Sequence, residues 1–321
     1  MNMGKAADKY RILSIDGGGI KAVIPAIILD RLTQELGDWT EKVDLIAGTS
    51  IGGLIALAIA SGQSSKDIRE FLETKGELIF ADSLLDDIRD LSQLLGAQYD
   101  NKYLERSIVR MVGGYDITLG DLEKTVLIPS FTLDNEDKDQ SKRRWKPKLF
   151  HNFPTSDSDA DEFAWKVGLY TSAAPTYFPA VDGYIDGGIY ANNPCMCALA
   201  QTQDVRIEKR PALADVVMLS LSCGSAPSYI ERKPRLDWGI TQWAKPLLDI
   251  LFDGVNDVAT YQSQMILNDR FIRINPTFKT PGSLGPDDVK LLPEMVMLAE
   301  SYDLNDTLAW INKNWLNKPR V

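Results

Sequence analysis

Residues 43–60 of this chain, VDLIAGTSIGGLIALAIA, join two patterns that decide the fold. The first five residues form an apolar run, which is typical of a strand buried on both faces of a sheet. Residues 51–60 are apolar and contain no helix breaker after the glycines, so they predict a buried helix. Gly48-Thr49-Ser50-Ile51-Gly52 connects the two and has the form G-x-S-x-G, which indicates a sharp strand-to-helix turn.

The same turn makes Ser50 a candidate nucleophile. Gly48 and Gly52 flank the serine because a crowded turn leaves no room for a Cβ. The turn places the serine at the N-terminus of the next helix, where the helix dipole and free N–H groups favour developing negative charge. A glycine-rich turn that serves packing alone is the alternative, but the strand before it and the helix after it favour a nucleophile.

Strands and helices alternate along the rest of the chain. We predict strands at 11–15, 43–47, 125–133, 148–150, 215–222 and 271–274, and helices at 21–36, 51–60, 65–79, 102–111, 243–268 and within 287–314. Such alternation predicts the α/β class, with a mainly parallel central sheet covered by helices on both faces. No linker divides the chain, so we expect a single domain over residues 10–314.

A serine hydroxyl needs a base, and the chain contains one histidine, His151. In a hydrolase of the α/β-hydrolase type, the histidine would follow the acid near the C-terminus. Either His151 is used in an unfamiliar order or the base is a carboxylate. The best carboxylate is Asp186, which precedes Gly187 and Gly188; desolvation in a cleft would raise its pKa. A simple Asp-Gly-Gly turn is the alternative interpretation.

The glycine turn after the first strand, DGGGIK at residues 16–21, is a candidate oxyanion hole. Three consecutive glycines can direct backbone N–H groups at a single oxygen. A nucleotide-binding loop is the competing interpretation, but the turn lacks both G-K-[ST] and the G-x-G-x-x-G spacing.

Composition limits the partners. The chain has 321 residues, 35 basic and 45 acidic, and a net charge of −10, which excludes nucleic acid and argues against electrostatic docking on an anionic membrane. Hydrophobic insertion into a membrane stays open. Three cysteines and a start without an apolar leader predict reduced thiols and a cytoplasmic protein, peripheral at most to a membrane. Cys195 and Cys197 have no histidine nearby, so we expect no zinc site.

Two stretches are peripheral. Residues 82–98 have helical, amphipathic spacing, which predicts either a surface helix packed on the core or a lid that forms an apolar wall for an acyl chain. Residues 134–146 are highly charged and predict a solvated hairpin, with membrane contact through residues 142–145 as the alternative.

Together these segments resemble the patatin-like phospholipases. The resemblance rests on DGGGIK at 16–21, GTSIGG at 48–53, SAAPTYFP at 172–179, DGG at 186–188 and ANNP at 191–194, in that order. It extends from about Tyr10 to about Asn314. One departure is Lys21-Ala22, where the family usually has Arg then Gly; lysine keeps the charge but loses the bidentate fork.

The resemblance implies a three-layer α/β/α fold and hydrolysis of acyl esters in phospholipids, lysophospholipids or other lipids, through an acyl-serine intermediate. It implies Ser50 as nucleophile, Asp186 as base without a histidine, an oxyanion hole at Gly17, Gly18 and Gly19, and no metal or cofactor. His151 lies outside every motif and is expected to be structural. The supporting residues implied are Asp16, Lys21, Gly48, Gly52, Gly187 and Gly188. Acyl transfer on the same dyad, and a catalytically silent lipid-binding or signalling protein, are the alternatives.

Overall fold

The computed structural model describes residues 9–79, 101–175, 177–279 and 288–316. The segment 82–98, for which the sequence predicts a surface helix or a lid, lies outside the described residues. The strands are β1 (Tyr10–Ile15), β2 (Leu45–Gly48), β3 (Thr125–Thr132), β4 (Lys146–His151), β5 (Tyr184–Asp186), β6 (Val216–Leu221) and β7 (Phe271–Ile274). The helices are α1 (Val23–Leu36), α2 (Ile51–Ala60), α3 (Ser65–Ile79), α4 (Asn101–Val112), α5 (Ala164–Ser172), α6 (Gly188–Ala191), α7 (Cys195–Thr202), α8 (Ile240–Leu267), α9 (Leu292–Ser301) and α10 (Asn305–Asn314).

The strands form one mixed sheet in the order β4-β3-β2-β1-β6-β7. β1, β2, β3, β6 and β7 run parallel to one another, as the alternation of strands and helices predicts. β4 and β5 are both antiparallel to β3, and β5 pairs with residues 130–132, beyond the residues of β3 that pair with β2. This position brings the end of β5 to the edge of the sheet where β1 and β2 end.

Both faces of the sheet are covered. On β1, Leu13 and Ile15 pack into a large core with residues of α1, α2, α4 and α5. Ile12, which points to the opposite face, packs into a second core with residues of α7 and the end of α8. The three-layer α/β/α arrangement is therefore confirmed.

Element boundaries follow the sequence pattern where that pattern is strong. The predicted helices at 51–60 and 65–79 and the strand at 271–274 agree with the structure to the residue. The sequence pattern did not reveal α5, because this helix is buried on nearly all sides and has no polar face to produce a period. Residues 133–145 join antiparallel β3 and β4, and Trp145 is 72% exposed, so an exposed hairpin is confirmed. Membrane contact through residues 142–145 stays a prediction.

The ANNP segment leads directly into a helix. α7 begins at Cys195, immediately after Asn193 and Pro194. Asn193 caps it in part, because its Oδ1 accepts the N–H of Cys195 at 3.1 Å.

Candidate active site

Ser50 lies at the junction between β2 and α2. Its backbone has φ 54° and ψ −132°, a left-handed conformation that strains a residue with a side chain. The Ser50 N–H donates to Thr171 Oγ1 at 2.9 Å, and that hydroxyl donates to the Pro129 carbonyl at 2.6 Å. The strained turn is thus tied to α5 and β3, and the side chain is directed out of the sheet at the start of a helix.

The glycines of the turn allow a very close approach to the N-terminal glycine loop. A Cβ at Gly52 would lie 2.3 Å from the carbonyl oxygen of Asp16, and a Cβ at Gly48 would lie 2.2 Å from the carbonyl oxygen of Gly52. Both distances are far below van der Waals contact. Gly52 therefore allows the serine turn to pack against the loop after β1, and Gly48 allows the turn itself to close tightly.

Asp186 is the last residue of β5 and is 6% exposed. Its carboxylate lies beside the Ser50 side chain, and its Oδ1 accepts the N–H of Gly188 at 2.7 Å. Burial raises the pKa of Asp186 to about 6, although the Ser50 side chain and the Gly188 N–H oppose the rise. The structure therefore brings together Ser50 and Asp186, which are 136 residues apart in sequence.

The glycine loop after β1, which contains Gly17, Gly18 and Gly19, lies beside Ser50. A Cβ at Gly17 would lie 3.3 Å from the Cβ of Ser50, which puts the loop directly beside the serine. The Gly17 N–H donates to the Asn192 carbonyl at 2.9 Å, so this amide is already used within the protein. The N–H groups of Gly18 and Gly19 have no protein acceptor in the part of the chain that the structure describes.

The ANNP segment links the parts of the site. Thr49 Oγ1 donates to the Ala191 carbonyl at 2.7 Å, and Asn192 Nδ2 donates to the Gly17 carbonyl at 3.2 Å. The Asn192 amide also donates to Asn256 Oδ1 on α8 at 3.1 Å. A segment that the sequence singled out only by resemblance thus joins the serine turn, the glycine loop and α8.

Sequence reasoning missed Arg273, which lies on β7. Its guanidinium contacts both oxygens of Asp16, with Nη2 2.6 Å from Oδ2 and Nη1 3.2 Å from Oδ1. Burial lowers the pKa of Arg273, but the charge and hydrogen bonds of Asp16 outweigh burial and leave it raised, so the side chain stays charged. The available signal was an arginine inside the otherwise apolar strand FIRI.

His151 lies at the end of β4, opposite Leu127 of β3. Its backbone N–H donates to Asp159 Oδ2 at 3.1 Å, its ring packs edge-on against Phe153, and burial lowers its pKa. Asp186 pairs with Ser130, three residues further along β3, and the described contacts of His151 include neither Ser50 nor Asp186.

The other predicted supporting residues lie around the same loops. Lys21 is half-buried in the last turn of the short 3-10 helix at Gly19–Ala22. Gly187 packs on the backbone of Pro129, where a Cβ would lie 2.4 Å from the carbonyl carbon. Within the described ranges, no group of three or more His, Cys, Asp or Glu side chains could hold a metal ion. None of the described helices combines the length and apolar character that crossing a bilayer requires.

The sequence matches the family model described as patatin-like phospholipase over residues 13–199, which is more than half of the chain. The chain belongs to the patatin-like phospholipase family. The matched range includes the glycine loop, the serine turn and Asp186. It ends within α7, so α8 and β7, with Asn256 and Arg273, lie beyond it.

Relatives extend over most of the chain. It is 28% identical to CotR of Bacillus subtilis (strain 168) over 339 residues, covering 97% of this chain and 99% of that protein. It is 30% identical to patatin-like protein 1 of Oryza sativa subsp. indica over 296 residues, covering 78% of this chain and 69% of that protein. Among solved structures, VipD from Legionella pneumophila aligns with a TM-score of 0.43 and 14% identity, covering 96% of this chain and 68% of that chain.

Proposed function

We propose that this protein is a lipid acyl hydrolase of the phospholipase A or lysophospholipase type that uses Ser50 and Asp186 as a catalytic dyad. Membership of the patatin-like phospholipase family supports lipid hydrolysis as the general activity. The observation that carries the finer proposal is the position of Ser50, on a strained turn, beside a buried carboxylate whose pKa burial raises to about 6.

In the first step, Ser50 Oγ attacks the ester carbonyl carbon while its proton moves to Asp186. The carbonyl oxygen becomes an oxyanion beside the free N–H groups of Gly18 and Gly19. The bond from the carbonyl carbon to the leaving alcohol then breaks, and the alcohol takes the proton from Asp186. The product is an acyl ester on Ser50.

In the second step, water gives a proton to Asp186 and attacks the acyl-serine. The bond to Ser50 Oγ breaks, the serine regains the proton from Asp186, and the fatty acid leaves. A carboxylate at its ordinary pKa is a weak base for an alcohol, so burial helps by bringing the pKa closer to neutral pH.

The dyad is tested by turnover of a short-chain nitrophenyl ester. We expect Ser50→Ala to abolish turnover and labelling by a fluorophosphonate probe, with an unchanged circular dichroism spectrum. The matched control is His151→Gln, which we expect to retain activity because His151 contacts neither member of the dyad. Retained turnover in Ser50→Ala, or loss of turnover in a folded His151→Gln, would contradict the dyad.

Lipid class and reaction type are tested on phospholipid and lysophospholipid vesicles. We expect mass spectrometry to show free fatty acid and the deacylated lipid, formed by the wild type and not by Ser50→Ala. Added acceptor alcohol separates hydrolysis from acyl transfer, because a transferase would form a new ester in place of the free acid.

A further inference from the structure

The buried ion pair between Asp16 and Arg273 joins the start of the glycine loop to β7, a strand at the edge of the sheet. Asp16 is the residue directly before Gly17, and both of its carboxylate oxygens are bound by one guanidinium. Its backbone is held as well: the Asp16 N–H donates to the Leu221 carbonyl at 2.9 Å, and Cys223 Sγ donates to the Asp16 carbonyl at 3.3 Å.

The sheet is built so that this arginine can reach the loop. Ser14 of β1, Ser220 of β6 and Arg273 of β7 lie in register across three neighbouring strands. Asp16 follows Ser14 by two residues and so points to the same face. Arg273 crosses the small Ser220 side chain, donates to its Oγ at 2.7 Å, and continues to Asp16. Two serines on an otherwise apolar face leave the space that the long side chain needs.

We propose that Arg273 is a positioning residue that fixes the oxyanion loop at Gly18 and Gly19 through its two contacts with Asp16; this rests on the proposed function. The three glycines have no side chains to fix the loop, so its direction depends on its attachments: Asp16 at one end and Asn192, which bonds the backbone of Gly17. Two parallel hydrogen bonds from a planar guanidinium fix the plane of the carboxylate, which a lysine ammonium cannot do.

A purely structural role is the rival explanation, and the kinetic constants separate the two. Displaced oxyanion donors reduce stabilisation of the transition state more than they reduce substrate affinity. We therefore expect Arg273→Lys to lower kcat by about 10- to 100-fold and to change KM by less than about threefold. Arg273→Met, which also loses the charge, should lower kcat further, so that lysine gives partial rescue.

The experiment compares kcat, KM and melting temperature for wild type, Arg273→Lys, Arg273→Met and a matched control, Arg270→Lys. Arg270 also binds through its guanidinium, to the Leu213 and Val216 carbonyls at 2.6 and 2.9 Å, but at the other end of β7. We expect Arg270→Lys to lower the melting temperature with kcat unchanged. A trifluoromethyl ketone, which adds to the serine and forms an oxyanion, should lose affinity for Arg273→Lys by the same factor as kcat/KM.

If folded Arg273→Lys has wild-type kcat and ketone affinity and only a lower melting temperature, as Arg270→Lys should, then Arg273 is structural and the proposal is wrong. If Arg273→Met does not fold, Arg273→Lys alone decides. If the wild type does not turn over the ester, or Ser50→Ala turns it over equally well, the proposed function is wrong, and this proposal falls with it.

Discussion

The molecule contains the same tripeptide, Asp-Gly-Gly, at two buried turns: 16–18 after β1 and 186–188 at the end of β5. Both carboxylates are almost inaccessible, with Asp16 1% and Asp186 6% exposed. Burial is the largest cause of a raised pKa at both. Their surroundings differ in the charge of the groups that oppose that rise, which is a cation at Asp16 and neutral donors at Asp186.

At Asp16 a charged guanidinium contacts both oxygens. At Asp186 the contacts are the Ser50 hydroxyl and the Gly188 N–H, both neutral, and no cation pairs with it among the described residues. The first carboxylate has a counter-charge, which suits the anchoring role proposed for it. The second has none and lies beside a hydroxyl, which suits the proposed proton transfer. The same local sequence thus lies in two different electrostatic environments.

The largest expected contrast is in activity. Asp186→Asn removes the proposed base while keeping its shape, so we expect kcat on a nitrophenyl ester to fall by about 100- to 10,000-fold. The matched control is His151→Gln, a change at a buried residue outside the proposed dyad, which should retain turnover. Near-wild-type turnover in Asp186→Asn would remove the distinction between the two carboxylates.

The next contrast is in stability, where we expect the two Asp→Asn substitutions to change the free energy of unfolding in opposite directions. Asp16→Asn leaves the buried Arg273 without a counter-charge, so the free energy of unfolding should fall by about 3 kcal/mol. Asp186→Asn removes a desolvated charge that no cation among the described residues pairs with, so stability at pH 8 should rise by about 1–3 kcal/mol. Urea denaturation of both variants measures this, and a loss of stability in both would contradict the comparison.

The third prediction concerns pH. The pKa of Asp186 is raised to about 6 in the folded protein, so the base is protonated below that value and kcat/KM should rise about tenfold per pH unit up to about pH 6, then level off. Because the folded state holds this proton more tightly than the unfolded state, the stabilising effect of Asp186→Asn should shrink as the pH falls from 6 towards 4. A profile flat between pH 5 and 8 would argue against Asp186 as base.

The smallest expected effect is on stability and comes from backbone strain beside each carboxylate. Gly19, in the loop after Asp16, has φ 57°, and Ser50, beside Asp186, has φ 54°. Glycine adopts this region freely, whereas serine is strained there. We expect Ser50→Gly to be more stable than Ser50→Ala by about 1 kcal/mol, with both inactive. Equal melting temperatures for the two variants would show that the turn stores no strain.

The serine turn, the type of sheet and the family could be predicted from the sequence itself. The apolar run before Ser50 and the apolar helix after it made the turn visible, because strand and helix periods are local properties of the sequence. The alternation of elements predicted a mainly parallel sheet covered on both faces, which the structure confirms. The motif series also identified the family, since its members lie in the matched range.

The tertiary structure decided which of two identical tripeptides faces a serine and which faces an arginine. Arg273 is 257 residues from Asp16 in sequence, and their contact depends on β1, β6 and β7 being neighbours. It also decided that Gly17 donates to Asn192, which leaves Gly18 and Gly19 as the two open amides. Such contacts depend on distances between strands and loops that are remote in sequence, and no local pattern of residues encodes these distances. The charge environment of a buried carboxylate could therefore be assigned only from the tertiary structure.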